Sequence, residues 1–190
     1  FYAPLNMLEP RSTITGTAPI SKMSEHIFFD LPACSEQIKT FLTECELQKP
    51  AKNKLSEWLK DGLNAWDISR DCPYHGFEIP GYKNKFFYVW VDAPIGYIAG
   101  CVNINPDLKQ LWQPESNCKI VHFIGKDIMY FHGLFWPAML KAANYKQPNQ
   151  IVTHGFLTLN GQKMSKSRGT MISAEQLLEK FSADQFRYYI

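Results

Sequence analysis

Two apolar runs that each stop at a glycine constrain the fold of this chain most strongly. Residues 119–124 (KIVHFI) end at Gly125, and residues 150–154 (QIVTH) end at Gly155. Runs that are apolar on both faces are typical of buried strands in parallel sheets. Between them the spacing predicts a helix over residues 128–140. Strand, turn, helix and strand form a βαβ unit, so the sequence predicts an α/β fold for residues 66–160.

Residues 86–91 (FFYVWV) form a third apolar run, which predicts another strand of the same sheet. A shorter strand is expected within residues 26–29. Helical spacing of apolar residues predicts helices over 35–46, with Ser35 as N-cap, and over 51–66. Asn160-Gly161 is a favoured hairpin pair, and two capping boxes predict helices after Ser173 and Ser182.

The composition limits the function classes. The chain has 190 residues, of which 45% are hydrophobic and 14% aromatic, which is enough for a hydrophobic core and is not typical of a disordered chain. A net charge of +2 gives no bulk electrostatic signature of a nucleic-acid binder. Five scattered cysteines without a C-x-x-C pair indicate a reduced, cytoplasmic chain with no metal site of its own. No apolar run is long enough to span a bilayer, so no membrane is expected as a partner.

Polar or tight segments follow all three predicted strands, at residues 92–97, 125–127 and 154–155. In open α/β sheets such segments meet at the carboxyl edge, where active sites lie. Asp127 could accept hydrogen bonds from a ribose, with Gly125 allowing close approach. Equally, Asp127 could cap the following helix. The chain contains neither a G-x-x-x-x-G-K-[ST] loop nor a G-x-G-x-x-G fingerprint.

Aromatic residues with small neighbours are a second candidate. Ile128, His132 and Trp136 share one helix face. Further aromatic and small residues are expected at the end of the neighbouring predicted strand: Trp90, Ala93, Pro94 and Tyr97. Together they could form a cavity for a small, flexible, apolar side chain, but ordinary core packing explains them equally well. Arg70 could hold a carboxylate or belong to a structural ion pair.

Residues 160–170 (NGQKMSKSRGT) combine cations, hydroxyls and glycines without a carboxylate. This composition is typical of a solvated surface loop, and it also suits a mobile loop that binds phosphate. The order of residues, not their composition, favours the second interpretation. Residues 163–167 (KMSKS) match the second signature motif of class I aminoacyl-tRNA synthetases at all five positions.

Most of residues 50–190 resembles the methionyl-tRNA synthetase family of class I aminoacyl-tRNA synthetases. The segments that carry the resemblance occur in the family's order: 66–71 (WDISRD), 88–97 (YVWVDAPIGY), 122–128 (HFIGKDI), 130–132 (YFH), 135–138 (FWPA) and 163–167 (KMSKS). Residues 1–50 resemble, more weakly, the end of the family's connective insertion.

The resemblance implies that methionine is activated with ATP, accompanied by Mg²⁺, and transferred to the acceptor end of tRNA(Met). It implies a catalytic role for Lys166, assisted by Lys163, on the β- and γ-phosphates, and ribose or adenine contacts from Gly125, Asp127 and the Leu157 backbone. The residues implied for methionine binding are Trp90, Ala93, Pro94, Tyr97, Ile128, His132 and Trp136. Arg70 is implied to organise the acidic residue that holds the amino group.

The implied architecture is the second half of a Rossmann-like parallel sheet with flanking helices. It is preceded by the end of an inserted α+β domain (1–50), occupies residues 51–160, and is followed by the loop and first helices of a helical region (161–190). Family features absent from the sequence include a His-x-Gly-His signature, the acidic residue and the zinc ligands. We therefore expect a fragment that lacks the N-terminal half of the catalytic domain, exposes a central sheet edge, and alone is inactive and marginally stable.

Two other hypotheses remain open. A nucleotidyltransferase could use a similar mobile basic loop for a triphosphate, without needing the aromatic cavity. Alternatively, the chain could be a non-catalytic binding module derived from a synthetase.

Overall fold

The computed structural model describes residues 7–12, 14–156, 158–159, 161–164 and 171–189, with the backbone alone for residues 159, 162 and 163. Its strands are β1 (Phe28–Phe29), β2 (Glu46–Leu47), β3 (Trp66–Asp67), β4 (Ser69–Asp71), β5 (Lys85–Phe87), β6 (Val121–Gly125), β7 (Gln150–His154), β8 (Thr158–Leu159) and β9 (Gln162–Lys163). Its α-helices are α1 (Ser35–Glu44), α2 (Lys49–Asp61), α3 (Val89–Asp92), α4 (Ile95–Ile104), α5 (Trp136–Ala142), α6 (Ala174–Leu178) and α7 (Ala183–Tyr189). Short 3₁₀ segments cover Pro32–Cys34, Pro106–Trp112 and Lys126–Ile128, and a π-helical segment covers Phe131–Phe135.

The described chain forms two compact units. The first contains residues 1–30 and 64–99, and the second contains residues 31–63 and 100–190. This division follows spatial contacts, and the predicted assignment of 1–50, 51–160 and 161–190 to domains stays a prediction.

The second unit is built on a parallel sheet with strand order β2-β7-β6. The predicted strands at 119–124 and 150–154 are confirmed as β6 and β7, which pair in parallel from Val121↔Gln150 to Gly125↔His154. The α/β fold is therefore confirmed. The third strand, β2, pairs Glu46 with Gln150 and was not predicted, because a two-residue strand leaves no periodic signal.

The helix predicted between β6 and β7 is present, but it begins earlier and changes its hydrogen-bond pattern within the run. It starts as the 3₁₀ turn at Lys126, passes through the π-helical segment and ends as α5 at Ala142. It packs against α1 and α2 around a core of fully buried side chains: Leu31, Ile38, Leu55, Leu134, Leu140 and Ile151.

The two helices before this unit's sheet differ from expectation at their ends. Ser35 does not cap α1: its hydroxyl donates to the carbonyl of Pro32 at 2.6 Å, within the preceding 3₁₀ turn. Helix α2 ends at Asp61 rather than at residue 66, because Gly62 leaves the helix with a φ of 93°. Glycine adopts a positive φ without the steric cost that a Cβ atom causes, and it commonly ends helices. Trp66 consequently lies in β3.

The first unit consists of short antiparallel pairs, β1 with β3 and β4 with β5. The predicted strand at 26–29 is confirmed as β1. The prediction that residues 86–91 form a strand of the parallel sheet is wrong. Only Lys85–Phe87 is a strand, it pairs antiparallel with Ser69–Asp71, and Val89 begins helix α3. A short apolar run fits a buried strand and a buried helix equally, so periodicity could not separate them.

The hairpin and both capping boxes are confirmed. Strands β8 and β9 pair antiparallel around Gly161, whose φ is 76°, whereas Asn160 lies outside the described residues. The Ser173 hydroxyl accepts from the Gln176 amide at 3.2 Å, and the Gln176 side chain accepts from the Ser173 amide at 3.0 Å. Ser182 and Gln185 repeat this exchange before α7.

Candidate functional site

The carboxyl edge of the β6–β7 pair brings two of the three predicted segments together. Gly125 is opposite His154 in the parallel register, so residues 125–127 and 154–155 leave the sheet at the same edge. A Cβ atom at Gly125 would lie 2.7 Å from Asp127 Oδ1. The Asp127 carboxylate thus lies against the Gly125 backbone, and a larger residue at this position would displace it.

The Asp127 side chain is exposed, and none of the hydrogen bonds within the described ranges uses its carboxylate. No side chain caps the 3₁₀ turn that begins at Lys126. The helix-capping alternative therefore has no hydrogen bond to support it in this part of the chain. The carboxylate oxygens remain available as acceptors for an external donor.

The third segment, residues 92–97, does not follow a strand. Because residues 89–92 are helical, the segment connects α3 to α4 instead. The prediction that three strand ends converge is corrected to two.

Three buried side chains form an aromatic group: His122 in β6, and His132 and Trp136 in the helix that follows it. Trp136 Nε1 donates to His122 Nε2 at 3.3 Å, and the rings of His122 and His132 lie 5.5 Å apart in an edge-to-face arrangement. His132 Nδ1 lies 3.0 Å from the carbonyl oxygen of Ile128, one helical turn earlier. The exposed fractions of His132 and Trp136 are 0% and 2%.

Burial keeps both histidines neutral. Desolvation, reinforced by the neighbouring His132, lowers the pKa of His122 to about 4. Desolvation also lowers the pKa of His132, against the opposing hydrogen bond to the Ile128 carbonyl. Core packing alone accounts for the burial of His132 and Trp136, and their contact with methionine stays a prediction.

Sequence reasoning missed His122 as a member of this group. The signal was present in the strand's alternation, since His122 and Ile124 are buried while Phe123 between them is 76% exposed. Alternation places residues i and i+2 on one face of a strand. A polar residue on the buried face needs a partner, which Trp136 supplies.

The four other residues predicted for methionine all lie in the first unit. Trp90 is half-buried in α3, Ala93 is exposed and Pro94 is buried. Tyr97 is 40% exposed in α4, and partial burial raises the pKa of its hydroxyl. Asp92 Oδ1 is buried without a hydrogen-bond partner among the described residues, a feature that the sequence did not reveal.

Arg70, also in the first unit, is confirmed as part of an ion pair: its Nη1 lies 3.3 Å from Asp67 Oδ2. Lys166 and Leu157 lie outside the described residues. Lys163 is in β9 and is described by its backbone alone.

A cleft of about 350 Å³ opens beside the end of β7 in the second unit. It is lined by Gln48, Pro50, Ala51, Lys126, Met129, Thr153, His154 and Gly155. Gly125 and Asp127, the predicted ATP residues whose side chains or backbone the structure describes in full, do not line it. Within the described ranges there is no group of three or more His, Cys, Asp or Glu side chains placed to hold a metal ion, and no helix has the length and apolarity to cross a bilayer.

The comparison with protein families decides the family. The family described as tRNA synthetases class I (M) matches residues 1–190. The chain belongs to this family. It shares its fold with solved methionyl-tRNA synthetases of Mycobacterium tuberculosis. The structure described as in complex with methionyl-adenylate is 31% identical, with a TM-score of 0.77, over 94% of this chain and 35% of that chain.

Two further structures of the same enzyme agree. One bound by methionyl-adenylate is 31% identical with a TM-score of 0.76, over 94% of this chain and 35% of that chain. The apo form is 28% identical with a TM-score of 0.71, over 94% of this chain and 34% of that chain. The chain therefore spans about a third of the length of these relatives.

Proposed function

We propose that the protein containing this chain is a methionine–tRNA ligase. It joins methionine to AMP at the expense of ATP and then transfers the methionyl group to the 3′ end of tRNA(Met). The observation that carries the proposal is the family match over all 190 residues, joined to relatives solved with methionyl-adenylate. Because the chain spans 35% of such a relative, the activity is proposed for the whole protein, and the 190-residue chain alone is expected to be inactive.

The reaction needs positioning and charge stabilisation more than a side-chain nucleophile. A carboxylate oxygen of methionine attacks the α-phosphorus of ATP, and the bond to the bridging oxygen breaks, so that pyrophosphate leaves with its electron pair. The adenosine hydroxyl of tRNA then attacks the methionyl carbonyl, and AMP leaves.

Residues at the sheet edge suit the nucleotide. Asp127 presents an exposed, unused carboxylate against the Gly125 backbone, which supports a hydrogen bond to a ribose hydroxyl. Lys166 and Lys163 are proposed to neutralise charge on the β- and γ-phosphates, with Mg²⁺ as part of the nucleotide substrate. The Leu157 backbone is proposed to contact adenine.

Methionine is proposed to contact the residues that the sequence singled out: Trp90, Ala93, Pro94, Tyr97, Ile128, His132 and Trp136. Arg70 is proposed to organise an acidic group that holds the methionine amine. Structural zinc has no proposed ligands in this chain, and a cytoplasmic location stays a prediction.

Titration calorimetry and aminoacylation by the full-length protein test the proposal. We expect binding of methionine, binding of ATP, and methionyl-tRNA formation that needs both. Asp127→Ala is expected to weaken ATP binding and leave methionine binding unchanged. Binding of a nucleoside triphosphate by a protein that does not bind methionine would favour a nucleotidyltransferase. Binding of tRNA without aminoacylation would favour a non-catalytic module.

A further inference from the structure

A cluster of polar side chains in the first unit fixes one end of the Arg70 guanidinium. Arg70 Nη1 lies 3.3 Å from Asp67 Oδ2. It also donates to the backbone carbonyl oxygens of Ser69, at 2.6 Å, and of Asp67, at 3.4 Å. The guanidinium carbon lies 4.0 Å from the centroid of the Tyr88 ring. Charge pairing and stacking on an aromatic face together restrict the guanidinium to one orientation.

The Asp67 carboxylate is itself held by His26, from a distant part of the sequence, and by the nearby Ser69. His26 Nδ1 lies 2.9 Å from Asp67 Oδ2. Asp67 Oδ1 accepts from the Ser69 amide at 3.0 Å and from the Ser69 hydroxyl at 3.2 Å. The Ser69 hydroxyl in turn accepts from the Ile27 amide at 2.9 Å, so the backbone next to His26 also supports the carboxylate through Ser69.

These residues resemble a Ser-His-Asp set only in composition. The Ser69 hydroxyl is 3.3 Å from the same His26 nitrogen that faces Asp67, and Ser69 is fully buried. A nucleophilic serine needs the other ring nitrogen of the histidine and access to a substrate. The cluster therefore holds a side chain in place and does not supply a nucleophile.

The hydrogen bonds of Arg70 within the described part of the chain all use Nη1. The N–H groups of Nε and Nη2 have no partner among these residues. This pair of nitrogens is the edge with which a guanidinium binds a carboxylate bidentately. Arg70 is thus anchored on one side and has its carboxylate-binding edge unused, with 20% of its side chain exposed.

We propose that Asp67, oriented by His26, is a positioning residue that sets Arg70 for its part in methionine activation. The inference rests on the proposed function, and it assigns to Asp67 and His26 roles that act through Arg70. Loss of the Asp67 carboxylate would leave Nη1 held by backbone carbonyls alone and let the guanidinium turn on the Tyr88 ring. The binding edge would then be misplaced although its charge is intact.

A double-mutant cycle in the full-length protein tests this coupling. The variants are Asp67→Asn, Arg70→Ala and the pair, with kcat and KM for methionine measured by ATP–pyrophosphate exchange and Tm measured in parallel. Asp71→Asn is the matched control, because Asp71 is in the same strand, β4, and pairs with Lys85 instead of Arg70. His26→Ala serves as a second probe of the same carboxylate if Asp67→Asn does not fold.

We expect Asp67→Asn to lower kcat/KM for methionine about tenfold or more, as for a hydrogen bond to a charged group. In the Arg70→Ala background the same change should alter kcat/KM less than about twofold, as for a coupled pair. His26→Ala should follow Asp67→Asn in direction and lose its effect in the same background. Asp71→Asn should leave kcat/KM within about twofold in both backgrounds.

Equal losses from Asp67→Asn with and without Arg70 would overturn the inference, as would a lower Tm with unchanged kcat/KM. In that case Asp67 has a structural role alone, while the proposed function stands. Absence of methionine-dependent exchange in the unsubstituted protein would instead defeat the proposed function, and this inference with it.

Discussion

Leu55 occupies the space beside Gly133 so closely that a Cβ atom on Gly133 would lie 2.5 Å from Leu55 Cδ2. Leu55 belongs to α2 and is fully buried, and Gly133 is in the π-helical segment. The contact lets two helices approach closely beneath the parallel sheet. Since Leu55 can move only into other core side chains, the space at Gly133 is fixed by its neighbour.

Gly133→Ala is therefore expected to lower the free energy of unfolding by about 1–3 kcal/mol through overpacking. Leu55→Ala should cost less in the Gly133→Ala background than in the unsubstituted chain, because the two changes compensate in volume. Gly100→Ala is the control: it lies in α4 with no atom near its Cβ position, and it should stabilise the helix by about 1 kcal/mol. Denaturant unfolding measures the stability of Gly133→Ala, Leu55→Ala, the double variant and Gly100→Ala. Equal effects of the alanine at Gly133 and at Gly100 would contradict the packing described.

The buried His122 predicts a pH dependence of stability. Its pKa is lowered from an ordinary value of 6.5 to about 4 in the folded chain. Between these two pH values His122 is protonated in the unfolded state and neutral in the folded state. The free energy of unfolding is therefore retained above pH 6.5 and falls as the pH decreases towards 4. The loss from pH 7 to pH 5 should be about 2 kcal/mol for this residue, with a further loss from His132, whose pKa is also lowered.

His122→Gln should flatten this pH profile in denaturant unfolding, because glutamine does not titrate. His75→Gln is the matched control, since His75 is exposed. An unchanged profile in His122→Gln would show that another group controls the acid sensitivity.

Cysteine reactivity should separate buried from exposed thiols. Burial raises the pKa of Cys45 to about 11, so at pH 8 little of it is the reactive thiolate. Cys72 and Cys118 are exposed and free. We expect iodoacetamide to alkylate Cys72 and Cys118 in the folded chain and Cys45 only after unfolding, as followed by peptide mass spectrometry. Equal rates at all three residues would contradict the burial of Cys45.

The sequence was sufficient to predict an element where its residue composition and the residues at its ends gave the same indication. Strands β6 and β7 are apolar runs stopped by glycine, and Ser173 and Ser182 cap helices through a local exchange of hydrogen bonds. These signals depend on neighbouring residues alone, so no tertiary information was needed to interpret them.

Long-range pairing was the part that could not be predicted. Strand β2 exists because Glu46 and Leu47 meet β7, about a hundred residues later. Residues 86–91 belong partly to β5 and partly to α3, because Phe86 pairs with Arg70 in the antiparallel β4–β5 pair. In the site, the pairing of His26 with Asp67 was equally invisible, since no local pattern connects them.

Lys166 provides a test of the chemical step. If Lys166 acts on the phosphates in the transition state, Lys166→Ala should lower kcat for ATP–pyrophosphate exchange. The expected loss of transition-state stabilisation is about 3–4 kcal/mol. Lys163→Ala should have a smaller effect, and Lys180→Ala, at an exposed lysine, should have none. A rise in the KM for ATP with unchanged kcat would show instead that Lys166 contributes to ground-state binding.

Methionine-dependent ATP–pyrophosphate exchange by the full-length protein tests the central claim most directly. We predict that labelled pyrophosphate enters ATP when L-methionine is present, and that leucine and isoleucine at the same concentration do not replace it. Exchange that is equally fast without an amino acid, or none with methionine and Mg²⁺ present, would contradict the assignment of this protein as a methionine-activating ligase.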